Sequence, residues 1–152
     1  TAGGLRFDSS GYLLTGNTLT LAGSLDAPIP TITMGADATI SSRFVSTSGL
    51  NLVSSGSGGV LTLNNNALGA GANLISGGIT VGNQTTLRAG LTSSGSSPLG
   101  GGLVTLLDGG TLSLQGVSTT ANGLSGRVFT TSTAWVMASL SPSPRRMGKQ
   151  PL

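Results

Sequence analysis

"LVTLLDGGTLSLQG", residues 103–116, is two short alternations of aliphatic and hydroxyl side chains around an Asp-Gly-Gly turn. Successive side chains of a strand face opposite sides. Leu112 and Leu114 therefore share one face, the inward one, and Thr111 lies on the other. The same strand–turn–strand unit recurs with an eight-residue offset: Val104 to Leu112, Ile79 to Leu87, Ile32 to Ile40. Its turns are "MGAD" (34–37), "VGNQ" (81–84) and "LDGG" (107–110). They are predicted to need positive φ, which Gly, Asn and Asp tolerate.

Alternation extends well beyond these units. "TLTL" (18–21), "TITM" (31–34), "ATIS" (38–41), "GLNL" (49–52), "VLTL" (60–63), "GITV" (78–81) and "TLRA" (86–89) all read as strands. Leu19 and Leu21 are predicted to face inward, with Thr18 and Thr20 outward; Ile79 and Val81 face inward, with Thr80 outward. Threonine suits the outer face because its branched side chain favours extended backbone. Helical spacing is nowhere sustained.

Two topologies fit short alternating strands: an antiparallel sandwich and a parallel β-helix. Ile32 and Ile79 are 47 residues apart, room for two solenoid coils; Ile79 and Val104 are 25 apart, room for one. A sandwich would use larger inward aromatics. Here there are five aromatics, Phe7, Tyr12, Phe44, Phe129 and Trp135, against 26 glycines. Composition thus favours the β-helix. "LNNN" (63–66) suits either a corner of stacked asparagines or a plain polar loop. Tyr12 and Phe44 are expected to cover the apolar interior, the alternative being a ring face for sugars. A single coil buries too little to offset the entropy of ordering it, so coils should fold only on neighbours.

Of 152 residues only 7 % are charged, where about 25 % is typical. Charge-driven disorder is disfavoured, because mean hydropathy is positive. Up to residue 140, Arg6, Arg43, Arg88 and Arg127 balance Asp8, Asp26, Asp37 and Asp108; the +3 net charge comes from Arg145, Arg146 and Lys149. A neutral body argues against nucleic-acid binding. There is no Cys, which excludes disulfides and thiolate metal sites. No stretch has the length of a membrane-spanning helix. Thr1 opens without Met or signal-peptide pattern, so the expectation is a piece of a longer protein. Three regions are expected: a β-helix repeat over 1–116, an irregular end or the start of another segment over 117–140, and a proline-rich tail over 141–152 that is disordered or foreign to the repeat.

"GGLRFDSSGYLLTGNTLTLAG" (3–23) resembles the opening of the autotransporter-associated β-strand repeat, through Gly4, Phe7, Gly11, Tyr12, Leu14, Gly16, Leu19 and Leu21. "SGGITVGNQTTLRAG" (76–90) resembles its Gly-Gly-x-x-Val module. "SSPLGGGLVTLLDGGTLSLQG" (96–116) is the closest match, through Pro98, Leu99, Gly100, Val104, Leu106, Gly109, Gly110, Leu112 and Leu114. The chain departs from the pattern at "SSGSGG" (54–59) and at Leu74–Ile79. The resemblance implies a right-handed parallel β-helix in a surface-exposed or secreted bacterial protein. It also implies a passenger segment whose partner is an outer-membrane translocator barrel.

A β-helix enzyme acting on polysaccharides needs carboxylates as acid, base, nucleophile or calcium ligands. This chain has four Asp, no Glu and no His, spaced singly along the sequence. Without His the usual serine triad cannot form. Asp37 and Asp108 fall where short polar side chains cap turns. No enzyme activity and no cofactor is expected. The expected role is a structural stalk that assists passenger folding and export. The alternative is an adhesin-type module that binds surface glycans or a host surface through its Thr/Ser-rich outer face.

Overall fold

The computed structural model describes residues 1–90, 97–114, 128–130 and 135–138. The first coil contains β1 (Gly4–Phe7), β2 (Tyr12–Leu14) and β3 (Leu19–Thr20). The second contains β4 (Thr31–Met34), β5 (Ala38–Ile40) and β6 (Phe44–Ser46), and the third β7 (Leu50–Ser54), β8 (Gly59–Leu63) and β9 (Leu74–Ile75). Pairs of strands follow: β10 (Ile79–Val81) with β11 (Thr85–Ala89), β12 (Val104–Leu106) with β13 (Thr111–Leu114), and β14 (Val128–Thr130) with β15 (Trp135–Ala138).

These strands form three parallel sheets. The first runs β1-β4-β7-β10-β12-β14, the second β2-β5-β8-β11-β13-β15, and the third β3-β6-β9. The chain is therefore an all-β parallel solenoid. Ile79 lies between Leu50 and Val104, and Leu87 between Leu61 and Leu112. The eight-residue offset carries the chain around a corner from the first sheet to the second, not across a hairpin. Among the described residues no strand pairs with another strand of its own coil.

The core consists of aliphatic columns running along the solenoid axis. Ile32, Leu52, Val81 and Leu106 stack in the first sheet; Leu61, Leu87 and Leu112 stack in the second. All seven are fully buried, and burial of each such side chain is worth about 1.5–3 kcal/mol. Phe44 joins this interior with no exposed surface. Leu21 is buried and Leu19 partly so; Leu114 is partly buried against the same core. Thr39, Thr62, Thr80 and Thr105 take the half-exposed outward positions between them.

Coil length varies. Leu19 stands beside Phe44, 25 residues on, whereas Ile32 stands beside Leu52, only 20 on, and Leu50 beside Ile79, 29 on. The longest step is taken up by residues 64–73, which include a single 3-10 turn at Gly69–Gly71. There the "LNNN" corner differs from both expectations. Asn65 is buried and donates to the Gly71 carbonyl and to Asn73 Oδ1, each at 2.9 Å. The amides bridge across a loop because its main-chain groups need partners once buried, so like asparagines do not stack rung on rung.

Turn conformation also differs. "MGAD" contains no positive φ, "LDGG" has one at Gly109 (74°), and in "VGNQ" the left-handed residue is Gln84 (58°), not Gly82 or Asn83. The register places Gly58, Gln84 and Gly109 at one corner, one above another. The shared corner geometry imposes the same conformation on all three, whatever the side chain.

The alternation ends at Gly116, yet β14 and β15 lie beyond it and continue both large sheets, with Leu106 beside Thr130 and Leu112 beside Val136. Ladder bonds are made by the main chain, so weak side-chain alternation does not prevent pairing. The rest of 117–140 and all of 141–152 lie outside the described residues.

Candidate functional site

The outer face of the second sheet holds a concave feature. Register stacks Leu13, Thr39, Thr62 and Arg88 in one outward column. Gly11, Asp37 and Val60 run beside it at the sheet's entry corner, and together these residues line an open groove of about 330 Å³. Neighbouring parallel strands lie about 4.8 Å apart, so Leu13 and Arg88 are separated by roughly 14 Å along the axis.

The groove is chemically polarised. At one end Leu13 is 61 % exposed. At the other Arg88 is half-buried, and its Nε is shielded from solvent without a hydrogen-bond partner. The two other described arginines are engaged. Arg6 Nε donates to both Asp8 carboxylate oxygens at 2.9 and 2.8 Å, and Arg43 Nε donates to the Ala72 carbonyl at 3.1 Å. The Asp8 hydrogen bond, reinforced by its charge, holds the Arg6 guanidinium above its ordinary pKa.

Asp37 has a structural task in the wall. Its Oδ1 accepts the Val60 main-chain N–H at 2.8 Å, joining the second coil to the third. Asp8 is paired with Arg6, and Asp26 and Asp108 are exposed. Among the described residues no three His, Cys, Asp or Glu side chains come together in a group that could hold a metal.

The motif residues named above take structural positions. Gly4 faces the Thr31 carbonyl and Gly110 the Val81 carbonyl so closely that a Cβ would stand 2.5 Å away. Gly11, Gly16, Gly100 and Gly109 have positive φ. Phe7, Leu99, Val104, Leu106 and Leu112 are buried. Pro98 is also buried and its carbonyl accepts Asn73 Nδ2 at 2.7 Å. Tyr12 packs its ring at a 5.6 Å centroid distance on Phe7. It shares its register position with inward Ala38, yet is 53 % exposed, because no strand of the described chain stacks on the outer edge of β2. Sequence reasoning weighed Arg88 only as a charge. Its one signal was a cation at an outward position that threonine occupies on the two preceding rungs.

The chain matches no protein-family model, and no curated protein and no solved structure is similar to it.

Proposed function

We propose that the chain is a structural β-solenoid stalk of a surface-exposed or secreted bacterial protein, and that its coil-by-coil folding assists export through an outer-membrane barrel. One observation carries this reading: among the described residues every strand finds its partners in adjacent coils and none within its own. A lone coil has no ladder to close, so it stays unfolded until a neighbour offers three strand edges. A chain of this kind passes a narrow pore unfolded and then folds on the far side, each coil templating the next. Each coil added outside opposes backsliding without a nucleotide-driven motor. The motif residues of 3–23, 76–90 and 96–116 support the passenger assignment.

The test is surface display of the parent protein. Replacing Leu112 and Leu114 together by Asp puts charges on the inward face, at several kcal/mol, and should sharply lower display and protease resistance. Thr111→Asp, on the half-exposed opposite face, should leave both near wild type. Equal display of all three proteins would sink the link between folding and export.

A further inference from the structure

We infer that the groove on the outer face of the second sheet binds an anionic oligosaccharide laid along the solenoid axis, its acidic group seated on Arg88. This inference stands apart from the export reading and needs none of it.

Arg88 motivates the proposal. A guanidinium carries five N–H donors in a planar fork that matches an oxyanion. Of the three described arginines, only Arg88 has neither an acceptor nor a carboxylate within pairing distance, and its Nε is sheltered from water. The Arg88 guanidinium thus brings an unpaired positive charge to the groove wall, and an oxyanion in the groove meets it through the terminal Nη donors, not through the sheltered Nε. The groove ends there too: the next residue in the column, Ser113, is buried.

The rest of the groove argues for a sugar over an acidic peptide. Strands β5, β8 and β11 are flanked on both sides, so their main chains are engaged in the ladder and offer a peptide no strand edge to extend. Recognition must come from side chains. These are the Thr39 and Thr62 hydroxyls, the Asp37 carboxylate oxygen not taken by Val60, and the apolar flank of Leu13. Hydroxyls and a carboxylate suit sugar hydroxyls, and an exposed aliphatic flank suits a ring face. Asp37 and Arg88 are two rungs apart, roughly 10 Å, beyond the screening length of about 8 Å at physiological salt. Screening therefore weakens the repulsion between this carboxylate and an anion seated on Arg88.

A carboxylate or a sulfate would serve this seat equally, and calorimetry with defined probes separates them. Hyaluronan tetrasaccharide carries carboxylates only, sulfated maltotetraose sulfates only, and unmodified maltotetraose neither. At least one acidic probe should bind at least tenfold more tightly than maltotetraose, and its affinity should fall with added salt. Arg88→Met, which keeps the apolar stem, should weaken that binding at least tenfold, and Arg88→Lys should fall between. On the unaltered chain, the bound probe should protect Arg88 but not Arg6 from phenylglyoxal, read by mass spectrometry. This arm holds even if the Met variant misfolds. Three results overturn the inference: neither acidic sugar binds, binding occurs without protection of Arg88, or hexaglutamate binds as tightly as the sugars.

Discussion

Asn73 Oδ1 accepts the main-chain N–H of Phe44, 29 residues earlier, at 2.7 Å. On its other side Nδ2 donates to the Pro98 carbonyl, 25 residues later, also at 2.7 Å. One buried amide thus ties together the coils before and after its own where the third sheet gives way to turns. Replacing Asn73 by Ala strands the Phe44 N–H and one Asn65 donor in the interior, a loss of roughly 2–4 kcal/mol. Asn73→Asp keeps the acceptor but sets a carboxylate against the Pro98 carbonyl, so it should rescue little. Chemical denaturation of the three proteins measures both effects.

The stacked left-handed corner yields a pair of opposite outcomes. Gln84 adopts φ 58° beneath Gly58 and above Gly109. Gln84→Gly relieves a conformation that side chains disfavour and should raise stability by about 0.5–1 kcal/mol. Gly58→Ala would drive a Cβ into the Gln84 carbonyl and should cost more than the Gln84 variant gains. Thermal melts of the two variants against wild type decide this.

Asp37 serves the fold through a single acceptor. Asp37→Asn retains an oxygen for the Val60 N–H and should stay within a few tenths of a kcal/mol of wild type, whereas Asp37→Ala should lose about 1 kcal/mol. Urea midpoints with unchanged slopes would show the loss to be local. A role in chemistry, by contrast, would make Asn as damaging as Ala in any activity detected.

The Arg6–Asp8 pair is the contrasting case. Both side chains are about 60 % exposed, and pairs of this kind contribute little. Asp8→Asn should leave the melting temperature unchanged at both low and high salt. The sign of the Arg6 shift agrees. A raised pKa gives a contribution that is full below the ordinary arginine value and lost only above it, so stability should show no Arg6-dependent change between pH 5 and 9.

How far the fold could be read from the chain depended on strand length. "TITM" and "TLSL" coincide with β4 and β13 because four residues suffice to display a period of two. The third sheet left only a partial trace: "TLTL" (18–21) covers β3, but β9 is two residues long, too short to alternate, and β6 reads as Phe-Val-Ser, without a clear apolar–polar alternation. β1 is four residues long but holds only two apolar positions, Leu5 and Phe7, on either side of an exposed Arg6, too few to stand out as an alternation. Nothing local marks Asn73, whose partners lie a coil away on either side. The groove has the same cause: Leu13, Thr39, Thr62 and Arg88 share a column only through the register of strands that step 26, 23 and 26 residues apart.

The arrangement of strands in which each pairs only with other coils also gives the molecule a mechanical direction. Its ladder hydrogen bonds run parallel to the solenoid axis, so tension between the two ends peels them rung by rung instead of shearing a whole sheet at once. Each rung released frees about 25 residues, or roughly 85 Å of extended chain at about 3.4 Å per residue. A load along the axis is therefore met by a series of small, reversible extensions and not by one brittle rupture. Placed between two points that pull on its ends, such a segment would act as a shock absorber.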